Sequence, residues 1–168
     1  VSTRDAVNVI REAKKSGLSI TCDTAPPYFS LNESKLLTYN TAFKLSPPLR
    51  SEDDRLAIIE GIQDGTIDAI ASDHRARSKD TKAQPFSAAS VGASGIETLF
   101  SITLDLVHKK IIDINKAISF LTINPAKIFG IESSSLEEEK VADFIVFDEN
   151  EPHTIKQDNL KTSPTPFD

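Results

Sequence analysis

Asp64-Gly65-Thr66-Ile67-Asp68-Ala69-Ile70-Ala71-Ser72-Asp73-His74 is the stretch on which the fold reading turns. Asp64-Gly65 is a turn signal, Ile67 to Ser72 reads as a buried strand, and the run ends on an acid and an imidazole. A β-branched strand that delivers a carboxylate at its end is where a parallel α/β barrel presents metal-site and proton-transfer groups. Asp73 is therefore the first candidate functional residue.

Working outward, the segment before this stretch reads as a helix. Ser51 with Asp54 three residues on resembles a capping box, Leu56, Ile59 and Ile62 are spaced to face inward, and Gly65 stands past the end. Further upstream, Ser2 or Thr3 can cap a helix with Ala6, Val9, Ile10 and Ala13 on its apolar face, Lys14 and Lys15 in its last turn and Gly17 beyond. Leu18 to Asp23 then reads as a second buried strand. Between them, Thr24 to Arg50 is a long connection holding four of the nine prolines, a length that marks a site loop or an insertion. Downstream, Gly95 to Lys110 has helical spacing at Leu99, Ile102, Thr103 and Leu106. Asp113 is placed to cap a helix with Ala117, Ile118 and Leu121 inward, and Asn124-Pro125 opens a short helix, Ala126 to Phe129, that Gly130 stops. After the acidic turn Glu137-Glu138-Glu139, Asp143 to Asp148 reads as a strand.

This β-loop-α alternation predicts a parallel sheet covered by helices. A complete eight-stranded barrel takes about 250 residues, and the chain has 168. The expected fold is α/β: the second half of a (β/α)8 barrel of the TIM type over residues 1–135, and, over 136–168, a strand of an appended small β-sandwich with a C-terminal tail. An open α/β domain is the structural alternative. The chain has no methionine, opens on Val1 in what reads as a strand-to-helix transition, and closes on a proline-bearing polar stretch; both ends are expected to be cut. Lys and Arg alternate with acids and the net charge is −6, which argues against a nucleic-acid or anionic-membrane surface. Cys22 is the sole cysteine, so no intrachain disulfide forms, and a reducing, cytoplasmic setting is expected. No apolar stretch reaches the roughly 18 residues of a membrane span.

Several segments together carry a family resemblance: Thr21-Cys22-Asp23 with its proline loop, Lys44-Leu45-Ser46-Pro47-Pro48-Leu49-Arg50-Ser51-Glu52, the Asp64 to His74 stretch, Gly95-Ile96-Glu97-Thr98, Asn124-Pro125-Ala126 and Ala142 to Asp148. In this order they resemble the C-terminal part of a dihydroorotase of the amidohydrolase superfamily. The resemblance implies a zinc hydrolase that interconverts dihydroorotate and N-carbamoyl-aspartate in pyrimidine synthesis. It implies that Asp73 contacts metal and shuttles the proton, that Val91 and Gly92 touch substrate, and that Ser46 stands where an asparagine more often contacts it. Other metal ligands of the family belong to segments before Val1.

The departures are as specific as the matches. Where the family has a ligand histidine in Thr-Pro-His-His, this chain has Ala25-Pro26-Pro27-Tyr28, and neither proline nor a neutral tyrosine replaces an imidazole well on zinc. After the aspartate the family has Ala-Pro-His, and here Arg75-Ala76-Arg77 follows His74. Arg77 can grip a substrate carboxylate through paired hydrogen bonds, and would bring positive charge near Asp73.

Each residue also has an ordinary reading. Asp73 can merely cap a turn, His74 can be a hydrogen-bonded structural residue, and His108 sits near a helix C-terminus beside Lys109 and Lys110. His153 lies in a polar loop, and Cys22 reads as a small buried apolar side chain rather than a nucleophile. Arg75, Arg77, Lys79 and Lys82 form either an anion site or a mobile loop. Gly92 and Gly95 allow either close backbone approach to a ligand or a turn. Three functional classes follow: an active dihydroorotase with altered ligands, possible as a homo-oligomer; a metal-free structural subunit partnering aspartate transcarbamoylase; and a hydrolase of another cyclic amide, such as a hydantoin.

Overall fold

A computed structural model describes residues 1–132, 137–139, 143–152, 154–162 and 164–167. Its centre is a parallel pair of short strands, β1 (Asp23–Thr24) and β2 (Ala69–Ile70), with Asp23 opposite Ala69 and Thr24 opposite Ile70. Bonds from the Asp68 N–H to the Cys22 carbonyl (2.9 Å) and from the Ala71 N–H to the Thr24 carbonyl (2.8 Å) carry the ladder one step further at each end. Parallel pairing is as the alternation predicts, but both strands are shorter than expected. The Leu18 N–H bonds the Ala13 carbonyl and the Ile20 N–H bonds that of Leu18, so this stretch is the exit turn of a helix, with Leu18 and Ile20 exposed.

Among the described residues seven α-helices accompany the pair: α1 (Arg4–Lys15), α2 (Pro26–Ser30), α3 (Glu52–Asp64), α4 (Lys79–Lys82), α5 (Leu99–His108), α6 (Ile114–Leu121) and α7 (Ile123–Phe129). The caps follow the sequence. Thr3 Oγ1 accepts from the Ala6 N–H, Ser51 Oγ from that of Asp54, and Asp113 Oδ1 from that of Lys116. Gly65 closes α3 in the left-handed region at φ 81°. The Thr24 to Arg50 connection is ordered by α2 and two 3-10 turns, Glu33–Thr38 and Thr41–Phe43.

Three helix faces and one helix start differ from the pattern. α1 turns Val7 inward and leaves Val9 69% exposed, because Val7 packs where Gly61 of α3 leaves no side chain between the helices. α3 correspondingly buries Ala57, Ile58, Gly61 and Ile62, with Leu56 outside. α6 buries Ala117 and Phe120, with Ile118 and Leu121 only half-buried. α5 starts at Leu99 rather than Gly95. Phe29, Ile58, Ile62, Ile67, Ile102 and Phe120 anchor one core beneath the strands.

Polar ties fix the two strands. Asp68 takes the Lys14 ammonium at 2.7 Å and the Cys22 N–H at 2.8 Å, and Asn124 Nδ2 donates to the Asp68 carbonyl at 2.8 Å. The Asn-Pro-Ala signature thus docks α7 on β2. Cys22 Sγ donates to the Thr66 carbonyl at 3.3 Å, and burial together with the Asp68 charge raises its thiol above the ordinary value.

The strand expected over Asp143–Asp148 does not form. These residues are irregular, with Phe144, Ile145 and Val146 exposed, and the ladder among the described residues is that of β1 with β2. Phe147 instead meets Phe100 edge-on at 4.9 Å between ring centroids. Ala142 and His153 lie outside the described residues. Further on, Ile155 and Phe167 pack against the core. Glu97 accepts from the Lys161 and Thr162 N–H groups, and the Ser94 N–H donates to the Pro164 carbonyl at 2.8 Å. No described helix is long and apolar enough to cross a membrane.

Candidate functional site

The site forms where the two strands end. Chain leaving β2 passes through Ala71 and Ser72 into Asp73, whose φ of 44° puts a non-glycine residue in the left-handed region. A second segment braces that bend from below. The Arg75 N–H donates to the Ala93 carbonyl at 2.9 Å, and the Gly95 and Ile96 N–H groups both point at His74 Nδ1, at 3.3 and 3.4 Å. A side chain at Gly95 would place its Cβ 2.2 Å from the Ser72 carbonyl oxygen, so close backbone approach is the reason for this glycine. With Nδ1 accepting, the proton of neutral His74 sits on Nε2. His74 therefore takes the structural role.

Chain leaving β1 behaves differently. Ala25, Pro26, Pro27, Tyr28 and Phe29 are all buried, and α2 carries Tyr28 beneath the bend. The Tyr28 hydroxyl contacts the Pro47 carbonyl at 2.9 Å and Asp73 Oδ2 at 3.4 Å. It has one proton for two acceptors, and the shorter contact takes the larger share. Burial first, and the Asp73 charge second, push the phenol well above its ordinary value, so it stays neutral at physiological pH. Nothing in the local sequence pairs Tyr28 with Asp73. The one signal was the replacement of an expected ligand at that position.

The remaining sequence candidates separate. Ser46 has an exposed side chain, on the segment whose Pro47 carbonyl Tyr28 holds. Arg77 donates from Nε to the Val91 carbonyl at 2.8 Å. The cation near Asp73 is Arg75, with Nε 3.9 Å from Oδ1. Val91 and Gly92 lie on the bracing segment, and Gly92 has φ 114°, with its absent Cβ only 2.7 Å from Arg75 Cβ. Lys82 turns inward from the basic cluster. It is 4% exposed, donates to the Ser90 and Gly92 carbonyls at 3.0 and 2.7 Å, and burial, with Lys44 and Arg77 as like charges, lowers it to about 8. His108 Nε2 lies 2.9 Å from the Glu149 carbonyl oxygen.

Metal chemistry has little support in this set. Among the described residues no group of three or more His, Cys, Asp or Glu side chains is placed to hold an ion. The neighbours of Asp73 are a neutral hydroxyl and a guanidinium, neither of which suits a divalent cation. These residues do not by themselves fit zinc.

The model of the amidohydrolase family matches residues 1–167, and the chain belongs to that family. Within it, the similar curated relatives are dihydroorotases. That of Thermoanaerobacter sp. (strain X514) is 42% identical over 170 residues, covering 99% of this chain and 39% of the relative. That of Anaplasma phagocytophilum (strain HZ) is 38% identical over 169 residues, covering 99% and 38%. Among solved structures, the L-hydantoinase (dihydropyrimidinase) of Arthrobacter aurescens superposes with a TM-score of 0.72 at 28% identity, over 77% of this chain and 30% of that one. The dihydropyrimidinase of Brevibacillus agri NCHU1002 gives 0.71 at 27% identity, over 78% and 30%. The chain spans less than two fifths of the length of these relatives.

Proposed function

We propose that this chain is part of a cytoplasmic dihydroorotase-type hydrolase of pyrimidine biosynthesis, opening and closing the cyclic amide between dihydroorotate and N-carbamoyl-aspartate. Residues 1–135 would supply the second half of a TIM-type barrel. Residues 136–168 would belong to an appended β-sandwich, with Asp143–Asp148 pairing there. The observation that carries the reading is Asp73, held in a strained bend at the end of β2 in a chain about 40% identical to dihydroorotases. In ring opening, water attacks the ring carbonyl carbon and gives its proton to the Asp73 carboxylate. The C–N bond then breaks, and that proton passes to the departing nitrogen. The Val91–Gly92 backbone, Ser46 and Arg77 would line the substrate side, Arg77 through guanidinium atoms other than its committed Nε. Zinc would have Asp73 as its ligand from this chain, with the rest of its shell outside it.

A second reading rests on Tyr28. A neutral hydroxyl beside Asp73, where an imidazole ligand is expected, favours a metal-free subunit that serves as a structural partner, for instance of aspartate transcarbamoylase, or of a second copy of itself. One experiment separates the two: metal content of the full-length protein, with dihydroorotate turnover before and after chelation. Stoichiometric zinc, chelator-sensitive turnover and a loss of roughly 10²–10⁴-fold in kcat for Asp73→Asn are expected of the enzyme. A folded, metal-free and inactive protein would overturn the catalytic reading in favour of the subunit. Turnover of a hydantoin but not of dihydroorotate would overturn the substrate.

A further inference from the structure

The segment that braces Asp73 is held from its other side by buried charge. Three consecutive carbonyls are taken by cationic side chains: those of Ser90 and Gly92 by Lys82, at 3.0 and 2.7 Å, and that of Val91 by Arg77, at 2.8 Å. The Gly92 N–H in turn donates to the Lys44 carbonyl at 2.9 Å. Lys82 is itself fixed, since Thr41 Oγ1 donates to its carbonyl at 2.7 Å. An ammonium with 4% of its residue exposed is costly to bury and is tolerated only where its protons find acceptors. Here the acceptors belong to one loop. One residue further along, that loop accepts from the Arg75 N–H through Ala93, and Gly95 backs against the Ser72 carbonyl. The chain of contacts therefore runs from Lys82 through Gly92 and Ala93 to the bend at Asp73.

We propose that Lys82 is a positioning residue of the site: its buried ammonium sets the course of the Ser90–Gly92 backbone, and through it the place of Val91–Gly92 relative to Asp73. This rests on the substrate-side assignment of Val91 and Gly92 made above. Arg77 is the weaker tie, because it is exposed and holds one carbonyl, whereas Lys82 holds two from inside. Lys82 touches no reacting atom in this arrangement. Its loss should misplace the substrate, not remove a chemical group.

The test uses the full-length protein with Lys82→Met and Lys82→Arg, read by dihydroorotate binding in calorimetry and by amide hydrogen exchange. In Lys82→Met, exchange at the Gly92 and Arg75 N–H groups should rise at least tenfold while α3 keeps its protection, and dihydroorotate should bind at least tenfold more weakly. Lys82→Arg, which keeps charge and donors, should recover most of both effects. Faster exchange in the loop with unchanged dihydroorotate binding would overturn the proposal, and so would loop exchange indifferent to Lys82→Met. Loss of α3 protection in both variants would overturn it as well, by making Lys82 an ordinary core residue. If the unaltered protein binds no dihydroorotate, the substrate reading fails by itself. Loop exchange in the two variants then decides whether Lys82 positions this backbone.

Discussion

The two strands lie side by side and end in opposite ways. β1 runs into five consecutive buried residues, Ala25 to Phe29, while β2 runs into a half-exposed Asp73 in a left-handed bend with polar neighbours. One end is built by packing and the other by backbone held against its preference. The two meet at Tyr28, which brings a packed element to within 3.4 Å of the strained carboxylate. The difference teaches that the β1 end bears stability and the β2 end bears geometry, so substitutions should separate along that line.

The largest break should come from the packed end. Phe29 is 2% exposed in the core, and Phe29→Ala should cost about 3–5 kcal/mol of unfolding free energy, read by denaturant titration of the full-length protein. At the other end, Gly95→Ala drives a Cβ into the Ser72 carbonyl and should cost about 3 kcal/mol, with a matching fall in whatever binding or turnover Asp73 supports. Tyr28→Phe removes a hydroxyl that serves both ends. It should cost about 1 kcal/mol, and a cost as large as that of Phe29→Ala would show that the hydroxyl, not the ring, organises α2. Asp73→Gly sharpens the comparison from the opposite side: relief of the left-handed strain should leave stability unchanged or raise it by about 0.5 kcal/mol while removing the carboxylate on which the proposed turnover depends. A clear loss of stability would mean that the bend is not strained.

The smallest effect is a pH dependence from Lys82. Its folded value of about 8 lies below the ordinary 10.5, so between these values the unfolded chain holds a proton that the folded one has released. Stability from this group therefore rises with pH across that window. Thermal denaturation of Lys82→Met should lose that rise, and an unchanged profile would assign it to another group.

Local chemistry was legible in the sequence. Thr3, Ser51 and Asp113 cap as side chains that answer to N–H groups three residues away, and Gly65 closes α3 by its own backbone freedom. Parallel pairing and Asp73 at a strand end were equally plain. What the sequence concealed depends on distant partners. Val7 rather than Val9 faces inward because Gly61 makes room for it, 54 positions along. Leu18 to Thr21 has strand-like composition, but Leu18 bonds back to the helix before it and Ile20 to Leu18. Tyr28 meets Asp73 across 45 residues. Lys82 sits in a run of basic residues that reads as solvated, and only the carbonyls of Ser90 and Gly92 draw it inside.

Cys22, the sole thiol of the chain, stands at the seam of β1 and β2, with its sulfur on the Thr66 carbonyl and its acidity suppressed. Thiolate is the species that reagents attack. Alkylation there should therefore be slow while the strands stay together and should quicken when they part. The molecule thus carries its own reporter of strand separation, a natural label whose reaction rate can be followed by mass spectrometry without altering a residue.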